Sequence, residues 1–271
     1  MFTKPKVYNW IGSDATNQYW DDNQNWAEGE VPDQKEAIVI FENSVKHDTK
    51  ILLRRDIHLA QMWFNEQHSL TFGSEAPESL LSEQGPKFLF ETSNQFSILL
   101  VDANNRGMHT YSPWILHSCI FGQRSRVIPG SILTDDFTTT IHIDGNLGNY
   151  KDPERASLQV FGRLIFQLNG ANSFKGPVVV HNEGLIRAMV DGAIPDGSPI
   201  SLEGGAKIFA ADGVRIKAKT LRVDGLALDP GIYCSDSQGF SKAAEDLARA
   251  TNLNVRTLSN LEGTGVVLVT A

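Results

Sequence analysis

Short apolar stretches separated by tight polar corners dominate the C-terminal half of this chain. Val178 to Val180, Leu185 to Ala188, Ile200 to Leu202, Lys207 to Ala210 and Leu221 to Val223 alternate with turns rich in Gly, Asn and Asp. Strands this short predict a β-solenoid, where the chain buries one face for a few residues and then turns away. Alternation puts Ile186, Ala188, Ile208, Ala210, Leu221 and Val223 on the inward side. A β-sandwich is the structural competitor, but it calls for longer strands, about 5–8 residues, with sustained alternation. A doubly wound α/β chain would need several helices, and only Ser241 to Asn252 reads as one. There Ser241 stands at the N-cap, and Ala243, Ala244, Leu247, Ala248 and Thr251 share a side.

The pattern divides the chain into three segments of a single all-β domain spanning 1–271. Residues 1–50 set Tyr8, Trp10, Trp20 and Trp26 among turn residues, ahead of a strand from Ala37 to Phe41. Large aromatics there predict a cap over an open core end, which would otherwise leave unpaired edges. Residues 51–166 carry irregular strands: Ser69 to Phe72, Lys87 to Phe90, Ser97 to Val101, Trp114 to Phe121 and Thr139 to Ile143. Residues 167–271 hold the regular rungs, the helix, and an apolar run from Gly263 to Val269 that predicts a buried strand.

Three pieces of sequence occur in a telling order. They are Trp10-Ile11-Gly12 with Trp20, Asn25-Trp26, Gly29 and Val31-Pro32; then Leu168-Asn169-Gly170-Ala171-Asn172-Ser173-Phe174-Lys175-Gly176; then Val223-Asp224-Gly225 with Pro230-Gly231-Ile232-Tyr233 and Gly263-Thr264-Gly265-Val266. In that order they resemble the autotransporter-associated β-strand repeat family, with Phe174 where the family usually has Tyr. The resemblance implies a right-handed, single-stranded parallel β-helix with inward ladders and turn asparagines bonded along the axis. It also implies a passenger or stalk role without catalytic residues, hence a bacterial protein, extracellular or at the cell surface.

Charge and composition narrow the function. A net charge of -8 argues against a nucleic-acid binder, because neutralising phosphates needs surplus Lys and Arg. No run reaches the roughly 18–20 apolar residues of a membrane helix, and no signal peptide is visible at the start. Two cysteines, Cys119 and Cys234, make no disulfide framework; they stand as two separate residues or as one pair. Among seven histidines no metal-ligand spacing occurs, and there is no phosphate or dinucleotide loop, so no cofactor is expected.

Three groups of residues are candidates for chemistry. In Val214 to Val223, alternation puts Arg215, Lys217 and Lys219 on one side. If the triplets are equivalent, Arg187, Lys207 and Arg222 stack in a column. Such cations could hold an acidic polysaccharide or serve an elimination as base and charge stabiliser; the plain alternative is a solvated outer face. Asp135, Asp136 and Asp144, with His142, could act on a glycosidic bond or hold calcium, or could be ordinary turn residues. Tyr8, Trp10, Trp20, Trp26 and Trp63 could stack on sugar rings, with Trp20 and Trp26 foremost, or could form the cap. Cys119 and His117 share a strand face without a third member for nucleophilic catalysis.

The leading expectation is a non-catalytic structural or binding protein contacting a glycan, a cell surface or another copy of itself. A polysaccharide lyase or glycoside hydrolase of β-helix type is the alternative, using Lys217 and Arg215 or the aspartates. A receptor-binding toxin or phage spike module is a further one.

Overall fold

The computed structural model describes residues 5–15, 17–66, 68, 70–74, 86, 88–90, 96–101, 114–115, 119–121, 124–129, 140–143, 147–149, 157–236 and 241–270. The alternation seen in sequence carries into side-chain direction. Along Arg215–Val223, Ile216, Ala218 and Leu221 are buried while Arg215, Lys217, Lys219 and Arg222 face solvent.

Among the described residues the strands form sheets of thirteen, nine and four, and half of the protein is strand. The chain visits the sheets in rotation. Ala37–Glu42 lies in the first, Thr49–Leu53 in the second and Ile57–Leu59 in the third; Gln61–Asn65 then returns to the first, parallel to Ala37–Glu42. Each return adds one parallel strand beside the last. After Leu147–Asn149 the described strands alternate between the first two sheets, through Leu158–Phe161, Ile165–Leu168, Val178–His181, Leu185–Ala188, Ser198–Glu203 and Lys207–Ala210. Successive partners in the first sheet are Leu158, Val178, Ile200 and Leu221, so each late circuit takes about 20 residues.

In-register pairing turns inward residues into columns. In the second sheet Phe166, Ile186, Ile208 and Leu261 follow one another, all buried. One continuous apolar cluster runs from Tyr8 to Val269; each fully buried aliphatic side chain in it contributes roughly 1.5–3 kcal/mol. Corners are tied by side chains. The Asn172 side-chain oxygen accepts from the Leu147 amide at 2.6 Å, and its side-chain nitrogen donates to the Ala193 carbonyl at 2.5 Å.

The N-terminal aromatics close one end of this core. Trp26 stands edge-on to Trp10 at 4.8 Å and to Trp20 at 4.9 Å, and Trp20 meets Phe88 at 5.2 Å. Trp20 Nε1 donates to the Pro32 carbonyl and Trp26 Nε1 to the Trp20 carbonyl, so burying these indoles leaves neither donor orphaned. The edge strand Lys6–Trp10 is covered as well. Ala27 N donates to the Asn9 carbonyl, Ile11 N donates to the Asn25 carbonyl, and the Asn9 amide donates to the Glu28 carboxylate.

The other end closes differently. The last strand, Val266–Val269, sits between Arg215–Val223, to which it is parallel, and Gly231–Ser235, to which it is antiparallel. Val267 and Val269 enter the main core. Val266 and Leu268 face the opposite way, into a smaller cluster with Ile232, Cys234 and Ala244. The helix Lys242–Thr251 covers that cluster, capped by Ser241 Oγ accepting from Ala244 N and ended by Asn252 at φ 57°. Cys234 is a buried free thiol, so it makes no pair with Cys119, and burial pushes its pKa up.

Two sequence expectations are corrected. Trp114 to Phe121 is not one strand: Trp114–Ile115 pairs in the second sheet and Cys119–Phe121 in the third. The column of Arg187, Lys207 and Arg222 does not form. Arg187 pairs with Phe209, Lys207 with Leu185, and Arg222 lies in the first sheet beside Ser201.

Candidate functional site

Outward positions of the second sheet build a groove of about 510 Å³ lined by Ile165, Glu183, Leu185, Arg187, Lys207 and Glu262, with Gly205 at the corner. Its origin is the same alternation that fills the core. Phe166 and Leu168, Ile186 and Ala188, and Ile208 and Ala210 point inward. The residues between them therefore point out, in two adjacent columns. One runs Ile165, Leu185, Lys207; the other runs Gln167, Arg187, Phe209, Glu262.

The first column gives the groove an apolar floor. Ile165 and Leu185 are 8% and 7% exposed, yet neither belongs to the inner core cluster. They are shielded from outside, by the side chains that rim the groove. That volume falls within the range of about 300–1,000 Å³ usual for ligand pockets.

The rim is charged, and three of its four charges are already matched. Lys207 Nζ lies 2.8 Å from Glu262 Oε1, and Arg163 forms an ion pair with Glu183. Arg187 is different. It has no carboxylate partner among the described residues; its guanidinium stands 5.8 Å from the Phe209 ring centroid, and its Nε is buried without a protein acceptor. Buried polar groups are ordinarily hydrogen-bonded, so the unmatched guanidinium N–H beside an apolar floor makes this groove the candidate site.

Arg187 and Lys207 thus meet in one groove, as diagonal neighbours on adjacent strands rather than as a stack. Arg215, Lys217, Lys219 and Arg222 lie elsewhere, on the outer face of the first sheet. There Lys217 pairs with Asp196 at 2.7 Å, and the Arg215 amide donates to Asp191. The hydrogen bond and charge of Asp196 hold the Lys217 ammonium above its ordinary pKa. A general base at neutral pH needs a lowered one, so this lysine is poorly suited to abstract a proton. Lys219 falls where the register shifts between Ser198 and Pro199, leaving Lys219 and Thr220 both facing solvent.

Trp20 and Trp26, expected as sugar platforms, are 0% and 1% exposed. Their faces are spent on the cap, and Tyr8 and Trp10 are buried with them; this corrects the sugar-platform reading and agrees with the cap. Trp63 is half-buried, with its Nε1 donating to Gln61. Asp135, Asp136, Asp144 and His117 lie outside the described residues. His142 lies in register with Gln167 and so continues the Arg187 column beyond the groove. Among the described residues no three His, Cys, Asp or Glu side chains converge in a way that would hold a metal, and no helix is long and apolar enough to cross a membrane.

Sequence reasoning missed Ile165, Leu185, Phe209, Glu183 and Glu262. The available signal was an apolar residue at an outward step of an alternating strand, as at Leu185 in Leu185-Ile186-Arg187-Ala188. No family model, curated protein or solved structure matches the chain.

Proposed function

We propose that the chain is a right-handed parallel β-helix that acts as a non-catalytic binding scaffold, displayed outside the cell, and that it holds a glycan in the groove across its second sheet. The rotation of strands through three sheets, parallel in nearly all their pairings, and the late circuits of similar length support the β-helix reading. The resemblance of its opening, central and closing motifs to autotransporter-associated repeats points the same way. One observation carries the binding reading: an apolar floor of Ile165 and Leu185 beside the unmatched Arg187. Apolar area next to a few placed polar groups is what sugar rings need, since their C–H faces pack while their hydroxyls hydrogen-bond. The pairing of Lys217 with Asp196 weighs against a lyase on the first sheet. A glycan array, run with a solution mass measurement, tests the reading. Saccharide binding without turnover supports it; degradation of a bound polysaccharide, or binding only to cells by a stable oligomer, refutes it.

A further inference from the structure

Resting on that binding reading, we infer that Arg187 is a carboxylate receptor and that the groove takes an oligosaccharide of uronic acid type. The guanidinium is a planar fork whose N–H groups match a carboxylate in two parallel hydrogen bonds. Here one of those N–H groups, Nε, is buried and has no protein acceptor. The other nearby cations do not compete for the same anion on equal terms, because Lys207 is engaged by Glu262 and Arg163 by Glu183. A carboxylate entering the groove therefore meets one uncompensated positive charge in a partly dry setting, where a charge-assisted hydrogen bond is strong.

The remaining walls select among anions. Glu183 and Glu262 stand on the rim. Each is paired with a cation, so the groove offers one unmatched positive charge, too little for a ligand crowded with charge such as a nucleic acid or a densely sulfated chain, which a protein of net charge -8 also repels at long range. The same carboxylates accept hydrogen bonds from hydroxyl groups. One carboxylate per ring, hydroxyls around it and an apolar ring face fit Arg187, the two glutamates, and the floor of Ile165 and Leu185. Phe209, in register with Arg187, backs the guanidinium with its ring and restricts its orientation.

The test uses calorimetric titration of the full chain with a galacturonic acid trisaccharide and with the corresponding neutral galactose trisaccharide. Wild type should bind the acidic sugar more tightly, and Arg187→Gln should weaken that binding on the order of tenfold. The neutral sugar should bind weakly and equally to both proteins. On wild type, the Arg187 Nε–H resonance should shift and slow its exchange when the acidic sugar is added, a readout independent of any variant's folding. Arg187→Lys, which keeps the charge but loses the fork, should recover only part of the affinity. If both sugars bind equally and Arg187→Gln changes nothing, the carboxylate assignment falls and the glycan groove stands. If neither sugar binds and no groove resonance moves, the binding reading falls with it.

Discussion

Leu185 and Ile186 are neighbours in sequence, both nearly inaccessible, and assigned to opposite faces of one strand. Truncating each to alanine separates the faces energetically. Ile186 sits in the inward column between Phe166 and Ile208, with close-packed side chains around it. Ile186→Ala loses the transfer energy of the removed carbons and leaves a cavity its neighbours fill only in part, costing about 2–5 kcal/mol. Leu185 lies on the groove floor, shielded by side chains such as Arg187 and Lys207 that can shift or admit water. Leu185→Ala then costs at most the transfer term, about 2 kcal/mol at roughly 0.8 kcal/mol per buried methylene, with no enclosed cavity added. Equilibrium urea unfolding of both variants, with slopes compared to confirm unchanged exposed area, measures the difference. Ile186→Ala should be the more destabilised by about 1–3 kcal/mol. Equal losses, or a larger loss at Leu185, would refute the assignment of faces from which the groove is built.

Other consequences follow from single sites. Glu66 is fully buried; Ser44 donates to its Oε1 from both amide and hydroxyl, while Oε2 has no hydrogen-bond partner among the described residues. Burial pushes its carboxyl above the ordinary value, outweighing Ser44, the Val45 amide and His68, which act the other way. The folded state therefore holds the proton better than the unfolded one, so stability falls as pH rises from about 4.3 through the raised folded value. Glu66→Gln should flatten that slope in urea midpoints taken across the window; an unchanged slope would assign it to other groups. Gly263 has φ +81°, and a Cβ there would lie 2.1 Å from the Ala210 carbonyl oxygen. Gly263→Ala should cost about 1–3 kcal/mol or more in the same assay, because both the backbone conformation and the space exclude a side chain. Lys217→Ala removes an exposed, solvent-screened ion pair with Asp196 and should leave the urea midpoint close to that of the wild type. A marked drop would mean that this pair is not a solvated surface contact.

Local features were legible in sequence because short-range physics decides them. The helix begins after Ser241 and ends at Asn252 as the capping pattern indicates, and the strands Leu185–Ala188 and Lys207–Ala210 occupy the residues their alternation marks. The inward positions Ile186, Ala188, Ile208, Ala210 and Leu221 are buried, and Val223 packs partly exposed against the same core. What depends on register was not legible. Treating Leu221 to Val223 as equivalent to Lys207 to Ala210 put Arg222 beside Lys207. The chain actually changes sheet between them, and no local signal states which sheet a triplet joins. Insertion of the C-terminal strand between Arg215–Val223 and Gly231–Ser235 is long-range pairing of the same kind. The groove was half visible: Arg187 and Lys207 stand out as charges, whereas Ile165 and Leu185 carry no polar group to mark them, although alternation sets Leu185 on the side opposite Ile186 and Ala188. Trp20 and Trp26 drew attention as sugar platforms because indoles serve both roles, and only their burial decides between them.

On the proposed reading, ligand recognition belongs to the outward columns of the second sheet and not to the basic stripe on the first. Amide chemical-shift mapping of the full chain, titrated with a galacturonic acid trisaccharide, tests it most directly. Saturable shifts should cluster at residues 165–167, 183–187, 205–209 and 262. Shifts centred instead on Arg215, Lys217, Lys219 and Arg222 would contradict it.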